Sequence, residues 1–545
     1  MVRYEYMKNA LIMNGMDTSK KVLRHKEFSV AVFLWVIIIA GVITWQSDAL
    51  PIHPLFVTSQ AAPQSFGNCT IPFEIEETLM LPTKNGVSLV MAPKEPATLF
   101  VEYKNDGEVY KDKTPSQTVV AGQTAKFTIN NLRPGNTYTY RIQCKPANQR
   151  VPFAPRTEHT FKTLPVKGQT FSFAYATDTH FYSAWSKAMF TNNPNFFQEF
   201  KKTVSNIASD PSLSFVVLGG DNAQTQCYGC PGGTIDGVTY APNSVLTTGQ
   251  AELRYKTFLA PDNWGVVTKT LPFVYVLGNH EGETNPSINE CGHSTANSNS
   301  SMAARKKYYA DLFPIYGGDP DGRYYSFEAG DMLIGIVDVM YEQDTLPQTP
   351  GEWQFTGDIQ KNFIENTLKN SQAKWKTLFA EHLMGGDEVF GIQCYHYGRG
   401  GLRATNNDLP TGIFKGDQAI IQSWLEQYVV GGGANFFLSG HDHVAITPTE
   451  KLNATGDGTR TYYVKGGVVG ANAQAWQSED LFKKEMDWDL NGTADYFTDT
   501  IGTLKRGYYR ITVSPTQVLF EYVQTDMENS SLNGTVLYSK TITAQ

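Results

Sequence analysis

Five short polar clusters punctuate this chain, and each follows directly on a run of β-prone apolar residues. Phe171–Ala176 leads into Asp178-Thr179-His180, and Phe215–Leu218 into Gly220-Asp221-Asn222. Phe273–Leu277 leads into Gly278-Asn279-His280-Glu281, Thr377–Ala380 into Glu381-His382, and Asn435–Leu438 into Gly440-His441-Asp442-His443. Short apolar runs bounded by turn residues read as buried strands. Helical patterns over Asn195–Ala208, Gln250–Leu259, Ala303–Phe313 and Ile359–Asn370 alternate with them, as a layered α/β architecture requires. In open α/β sheets the carboxyl ends of the strands converge on one crevice. A fold that gathers five such ends places imidazoles and carboxylates from distant segments at one point, and a polynuclear metal centre is the expected product.

The chain has 545 residues, too many for one ordinary core, so two folded domains and a terminal extension are expected. A formal net charge of −8 with no long charge run argues against nucleic-acid docking. Residues 1–27 form a basic segment containing Lys20, Lys21, Arg24 and Lys26, and the apolar stretch over 28–46 follows with no charged residue. This pattern reads as a signal peptide or a membrane anchor. Basic residues before it place the N-terminus in the cytosol, with the rest secreted, periplasmic or extracellular, or held by a single span. Residues 47–66, rich in Pro, Gln, Ala and Ser, read as a linker.

Residues 67–165 change to short strands and turns, with strand patterns at 97–103, 125–129 and 137–143. The run Leu132-Arg-Pro-Gly-Asn-Thr-Tyr-Thr-Tyr-Arg-Ile142 resembles the turn into a late strand of a fibronectin type III module, which implies an all-β sandwich. Such modules serve as spacers or docking surfaces. Cys69 and Cys144 bracket it and are candidates to pair. The six cysteines form an even set, which in an exported chain favours disulfides. Cys227-x-x-Cys230 alone is weak grounds for zinc, so structural bridging is preferred. Sequons at Asn68, Asn299, Asn453, Asn491, Asn529 and Asn533 would be glycan sites in a eukaryotic source. Long polar loops at Cys227–Thr248 and Glu283–Ser301 are expected to shape a substrate cleft. The closing runs Tyr508–Val513 and Gln517–Val523 are expected to pair and complete a second sheet.

The order Asp-x-His, Gly-Asp, Gly-Asn-His-Glu, His, Gly-His-x-His resembles that of the calcineurin-like metallophosphoesterases. Each motif is weak alone, but all five in order, each behind a strand, are specific. The resemblance implies a four-layer α/β/β/α domain over residues 170–545. Carried over by motif, Asp178, His180, Asp221 and His443 would hold one metal. Asp221, Asn279, His382 and His441 would hold the other, with Asp221 bridging. Mixed imidazole and carboxylate donors suit iron, zinc or manganese, as divalent or mixed-valence ions, rather than calcium. Two such cations activate a bridging water for in-line attack on phosphorus and neutralise charge in the transition state. His280 is then the general acid. Glu281 and Asp442 are read as acids that orient neighbouring imidazoles. His396 and His293 are candidate substrate contacts, although an ordinary loop histidine explains either equally well.

Departures narrow the activity. Purple acid phosphatases carry a tyrosine three residues after the bridging aspartate, where this chain has Gln224, so a purple charge-transfer colour is not expected. Protein Ser/Thr phosphatases carry Asp-Arg-Gly shortly after that aspartate, where this chain has Asn222-Ala-Gln-Thr225. The reading is an exported phosphatase acting on small phosphorylated substrates, with a purple-acid-phosphatase-like arrangement of β-module and catalytic domain. A phosphodiesterase of nucleotides or lipid head groups is the alternative. A membrane-anchored, non-catalytic binding protein is the rival of another class.

Overall fold

The computed structural model describes residues 68–180, 195–223, 233–235, 238–240, 246–278, 281, 295–309, 318–319, 322–338, 357–381, 433–440, 445–452, 460–467, 469–470, 502–503 and 505–544. All belong to one compact unit, Ser65–Gln545. The first nine strands are β1 (Phe73–Thr83), β2 (Gly86–Pro93), β3 (Ala97–Asn105), β4 (Asp112–Lys113), β5 (Gln117–Val119), β6 (Ala125–Ile129), β7 (Thr137–Pro146), β8 (Ala154–Pro155) and β9 (His159–Lys162). Six of them, β3 to β5 and β7 to β9, form one antiparallel sheet. Leu99, Tyr140, Ile142 and Phe161 of that sheet share a buried core with Leu79, Leu89 and Phe127 of β1, β2 and β6. The backbone N–H of Arg133 donates to the Tyr138 hydroxyl at 2.8 Å, which ties the Pro134-Gly135 turn back onto β7 as the tyrosine corner of a sandwich does. A disulfide joins Cys69 to Cys144; the other four cysteines lie outside the described residues.

This β-rich region is built into the rest of the molecule. β1 pairs in parallel with a strand of the larger sheet through Met80 and Phe273. Along β1 and β2, Leu79, Leu89 and Met91 enter the sandwich core. Met80, Val90 and Ala92 enter a second core, with Tyr255, Phe258 and Trp264. With both faces covered, β2 is buried at every position and loses the polar alternation of a half-exposed strand.

The remaining strands are β10 (Phe171–Ala176), β11 (Leu213–Leu218), β12 (Gly233–Ile235), β13 (Val238–Tyr240), β14 (Phe273–Tyr275), β15 (Tyr325–Ala329), β16 (Met332–Ile336), β17 (Trp375–Phe379), β18 (Phe436–Ser439), β19 (Ala445–Leu452), β20 (Arg460–Lys465), β21 (Gly502–Thr503), β22 (Gly507–Val513), β23 (Gln517–Gln524) and β24 (Val536–Thr543). One sheet runs β24-β23-β22-β10-β11-β14-β1-β2-β6 and the other β15-β16-β17-β18-β20-β19-β21. Phe173, Phe215 and Val217 of the first pack with Phe379, Phe436 and Leu438 of the second. Burying one such side chain stabilises by about 1.5–3 kcal/mol, so this aromatic interior fixes the sheets face to face. The other face of the first sheet is covered by the helices Asn195–Ala208 and Thr248–Phe258, through Phe200, Val204, Tyr255 and Phe258. On the second sheet, alternation points Lys376 away from the Trp375 and Phe379 face. There its ammonium donates to the Leu368 carbonyl at 2.6 Å, seating the helix Gly357–Asn370 on the outside. Helix, sheet, sheet, helix is the four-layer arrangement the motif order implied.

Three local expectations are corrected. The hairpin β22–β23 pairs across Ser514–Thr516 as anticipated, but β22 lies antiparallel to β10 and so extends the first sheet. The helix expected from Ala303 begins at Thr295, intrinsic propensity being a weak guide to where a helix starts. The loop after Cys227 contains the β12–β13 hairpin and ends in the Thr247 capping box of the next helix. No helix among the described residues is long and apolar enough to cross a membrane; the apolar stretch at 28–46 lies outside them.

Candidate metal centre

β10, β11 and β14 run parallel and adjacent, so the chain leaves all three at the same edge of the sheet. The turns that follow are stitched together by their backbones. Asp178 N–H donates to the Gly220 carbonyl at 3.1 Å, and His180 N–H to the Asp221 carbonyl at 2.7 Å. Asp178, His180 and Asp221 all have positive φ, at 54°, 46° and 50°. L-residues avoid that region at roughly 1–2 kcal/mol each, and such strain gathers where function over-determines the backbone. Here it turns three side chains toward one point. A ligand atom from each lies within 4.8 Å of the others, and all three residues are buried. His180 Nε2 is 3.4 Å from Asp221 Oδ2 and 3.7 Å from Asp178 Oδ1. Burial disfavours the protonated ring, but Asp221 and then Asp178 outweigh it and raise the His180 pKa above the usual value.

Glu281 holds this loop from behind. Its carboxylate accepts the backbone N–H groups of Asp221 (3.1 Å), Asn222, Ala223 (2.9 Å) and Gly278 (2.6 Å), and the Tyr275 hydroxyl at 3.1 Å. Burial raises its pKa above the usual carboxylate range, against the pull of these donors. Among the described residues its hydrogen-bond partners are backbone amides and a tyrosine; the neighbouring His280 lies outside the described residues. Gly278 belongs to the same clamp: a Cβ there would lie 2.3 Å from Asp221 N and from Asp221 Oδ1.

A second buried acid, Glu381 at the end of β17, sits beneath the cluster. A Cβ on Gly220 would overlap its Oε2, and a Cβ on Gly440 would come within 3.0 Å of the same oxygen. The Gly440 N–H donates to the Glu381 carbonyl at 2.9 Å. Thr177 Oγ1 donates to Asp178 Oδ2 at 3.0 Å, while Trp264 Nε1 donates to Thr179 Oγ1 at 3.3 Å. The glycine-rich run from Gly466 to Gly470 passes close alongside, where a Cβ on Gly470 would meet the Thr179 carbonyl at 2.0 Å. The sequence named Glu381 in a strand-end cluster without giving it a role, and it passed over this glycine run. The density of glycine around Val468-Val469 was the available signal, since glycine permits such close backbone approach.

Of the residues singled out from sequence, Asp178, His180 and Asp221 are described and brought together. Asn279, His280, His293, His382, His396, His441, Asp442, His443 and Gln224 lie outside the described residues. The strands β14, β17 and β18, which run into the Asn279, His382 and His441–His443 motifs, end beside β11 or beside one another in parallel register. Two carboxylates and an imidazole within one small buried volume fit a transition-type cation. A surplus of buried acid points the same way: Asp178, Asp221, Glu281 and Glu381 are each at most 2% exposed. A cation held there can bind phosphoryl oxygens and lower the pKa of water.

The profile of the calcineurin-like phosphoesterase family matches residues 171–445. No curated protein matches the sequence. Among solved structures, one described as PhoD covers 88% of this chain and 90% of its own, at 16% identity and a TM-score of 0.60. A purple acid phosphatase, PPD1 from yellow lupin (Lupinus luteus) seeds, covers 86% of this chain and 74% of its own, at 16% identity and a TM-score of 0.55. At that identity they share the fold, β-rich N-terminal region included. The strand-end motifs, the buried Asp178–His180–Asp221 cluster and the family match together establish that this chain belongs to the calcineurin-like phosphoesterases, which are metal-dependent phosphoric ester hydrolases.

Proposed function

We propose that the protein is an exported phosphatase with a two-cation centre that hydrolyses small phosphate monoesters. The observation that carries this reading is the buried Asp178–His180–Asp221 cluster at the carboxyl ends of adjacent parallel strands. Asp178, His180, Asp221 and His443 hold the first ion, and Asp221, Asn279, His382 and His441 the second. When bound, such ions supply an activated water and neutralise charge at phosphorus. His280 protonates the leaving oxygen, and His396 and His293 contact substrate. The N-terminal segments 1–27, 28–46 and 47–66 act as basic region, signal or anchor, and linker, ahead of a fibronectin III-like sandwich over 67–165 and a catalytic domain over 170–545. The Cys69–Cys144 disulfide supports export, since such bonds persist in oxidising compartments. Monoesters are favoured by the architecture shared with a protein named as an acid phosphatase.

The test compares p-nitrophenyl phosphate with bis-p-nitrophenyl phosphate, using purified protein supplied in turn with manganese, zinc and iron, with metal content measured on the same sample. Faster monoester turnover is expected. Faster diester turnover would convert the reading to a phosphodiesterase, and two bound ions with neither ester cleaved would favour a binding protein.

A further inference from the structure

We propose that Trp264 is a positioning residue of the metal centre, whose indole N–H holds Thr179 and so fixes the directions in which Asp178 and His180 present their ligand atoms. The inference rests on the metal-centre reading above and deepens it. Asp178 and His180 both occupy left-handed backbone, at φ of 54° and 46°, which L-residues avoid unless their surroundings over-determine it. Thr179 lies between them and is not part of the ligand cluster. It is buried, and its side chain meets the core under the helices, where Trp264 Nε1 donates to its Oγ1 at 3.3 Å. The glycine-rich run grips the same turn by its backbone. Val469 N–H and Gly470 N–H donate to the Thr177 and Asp178 carbonyls at 3.0 Å and 3.3 Å, and a Cβ on Gly470 would overlap the Thr179 carbonyl. Backbone and side chain of the turn are thus held by two different elements.

A group that positions another must itself be fixed. Trp264 is fully buried, and its ring packs edge-on to Phe200 at 6.4 Å and tilted against Phe258 at 6.1 Å, one residue from each helix that covers the first sheet. Its backbone closes a tight turn: the Trp264 N–H donates to the Phe258 carbonyl at 3.2 Å, and its carbonyl accepts the Val267 and Thr268 N–H groups at 2.9 Å and 3.0 Å. Asn263 Nδ2 braces that turn by donating to the Thr257 carbonyl at 2.7 Å. A phenylalanine ring would fill most of the same space, so what the indole adds is its N–H, which needs an acceptor when buried. For Trp375 the acceptor is the Ser514 backbone carbonyl at 2.8 Å, remote from the site. For Trp264 it is a side chain flanked by two ligands. Both partners are neutral, so the restraint works through direction and not through charge.

The test uses the full chain, stripped by chelator and titrated with Mn²⁺ and separately with Zn²⁺ by calorimetry, with the melting temperature of each metal-free variant recorded. Trp264→Phe removes the N–H and keeps a ring, while Thr179→Val removes the acceptor and keeps the shape. Each is expected to weaken cation binding about three- to tenfold, the worth of one neutral hydrogen bond. The double variant is expected to bind no more weakly than the weaker single variant, because both act through one contact. Thr179→Ser, which retains the hydroxyl, is expected to bind as the wild type does. Variants that melt lower yet bind both cations like the wild type would make Trp264 a core residue and nothing more, and would overturn the proposal; additive losses in the double variant would do the same. Should Trp264→Phe not fold, the two Thr179 variants decide: a loss in Thr179→Val alone supports the proposal, and equal affinities refute it. A wild type that binds neither cation would refute the metal-centre reading, and the proposal with it.

Discussion

At the scale of single residues, the site divides into groups that would touch cation or substrate and groups that hold those in place. On the proposed roles, His280→Ala would remove a proton donor and no ligand. Metal content should therefore stay at the wild-type level while kcat falls by roughly 10²–10⁴, as checked by metal analysis and ester hydrolysis on one preparation. Asp221→Asn should lose metal itself, because it weakens the donor that both ions would share. Glu281→Gln belongs to the second group. It turns an acceptor of four backbone N–H groups into an amide that can satisfy fewer of them, and urea unfolding should show a loss of about 2–3 kcal/mol. Asp210, far from the site, offers a pH signature. Burial would raise its pKa, but the Ser212 hydroxyl and N–H and then Arg510 pull it below the usual carboxylate value. The lowered pKa means its stabilising effect is present above the unfolded value near 3.8 and is lost as pH falls below it. Asp210→Asn should accordingly destabilise at neutral pH, and the difference from wild type should vanish at acid pH in the same unfolding experiment.

At the scale of elements, the centre is made by how strand exits lean on one another. Gly278→Ala would push the exit of β14 into Asp221; its expected effect is a near-native circular dichroism spectrum with reduced metal occupancy. In the β-rich region, Tyr138→Phe removes the acceptor of the Arg133 N–H and should cost on the order of 1 kcal/mol in melting. The strands that carry the motifs were legible from sequence because buried parallel strands are continuous apolar runs, and β10 has the boundaries its pattern predicts. The start of the helix at Thr295 was not legible, since its first turns carry no apolar periodicity. The sequence places Glu381 in a strand-end cluster but gives it no role of its own, since the motif there is carried by His382. Only the three-dimensional approach of Gly220 and Gly440 reveals it as buried. The side of the sheet joined by β22 depends likewise on long-range packing, which local patterning does not encode.

At the scale of the molecule, the β-rich region and the catalytic sheets share interior. Met80, Val90 and Ala92 lie in the same core as Tyr255, Phe258 and Trp264, and β1 hydrogen-bonds to β14. Calorimetry should therefore show a single cooperative transition for both, shifted upward by metal, where a tethered independent module would give two. The position of β22 has a consequence for biogenesis. β10 is complete early in synthesis, yet its outer edge is covered only by a strand whose Thr512 meets Ser172 across 340 residues of sequence. Until β22 itself has left the ribosome, that edge is an open template for pairing with another chain. A chain cut short before Gly507 keeps the Asp178 and Asp221 motifs but leaves this edge bare, so premature termination there is expected to yield aggregates, and any factor that shields the nascent chain would have to hold it until β22 has emerged.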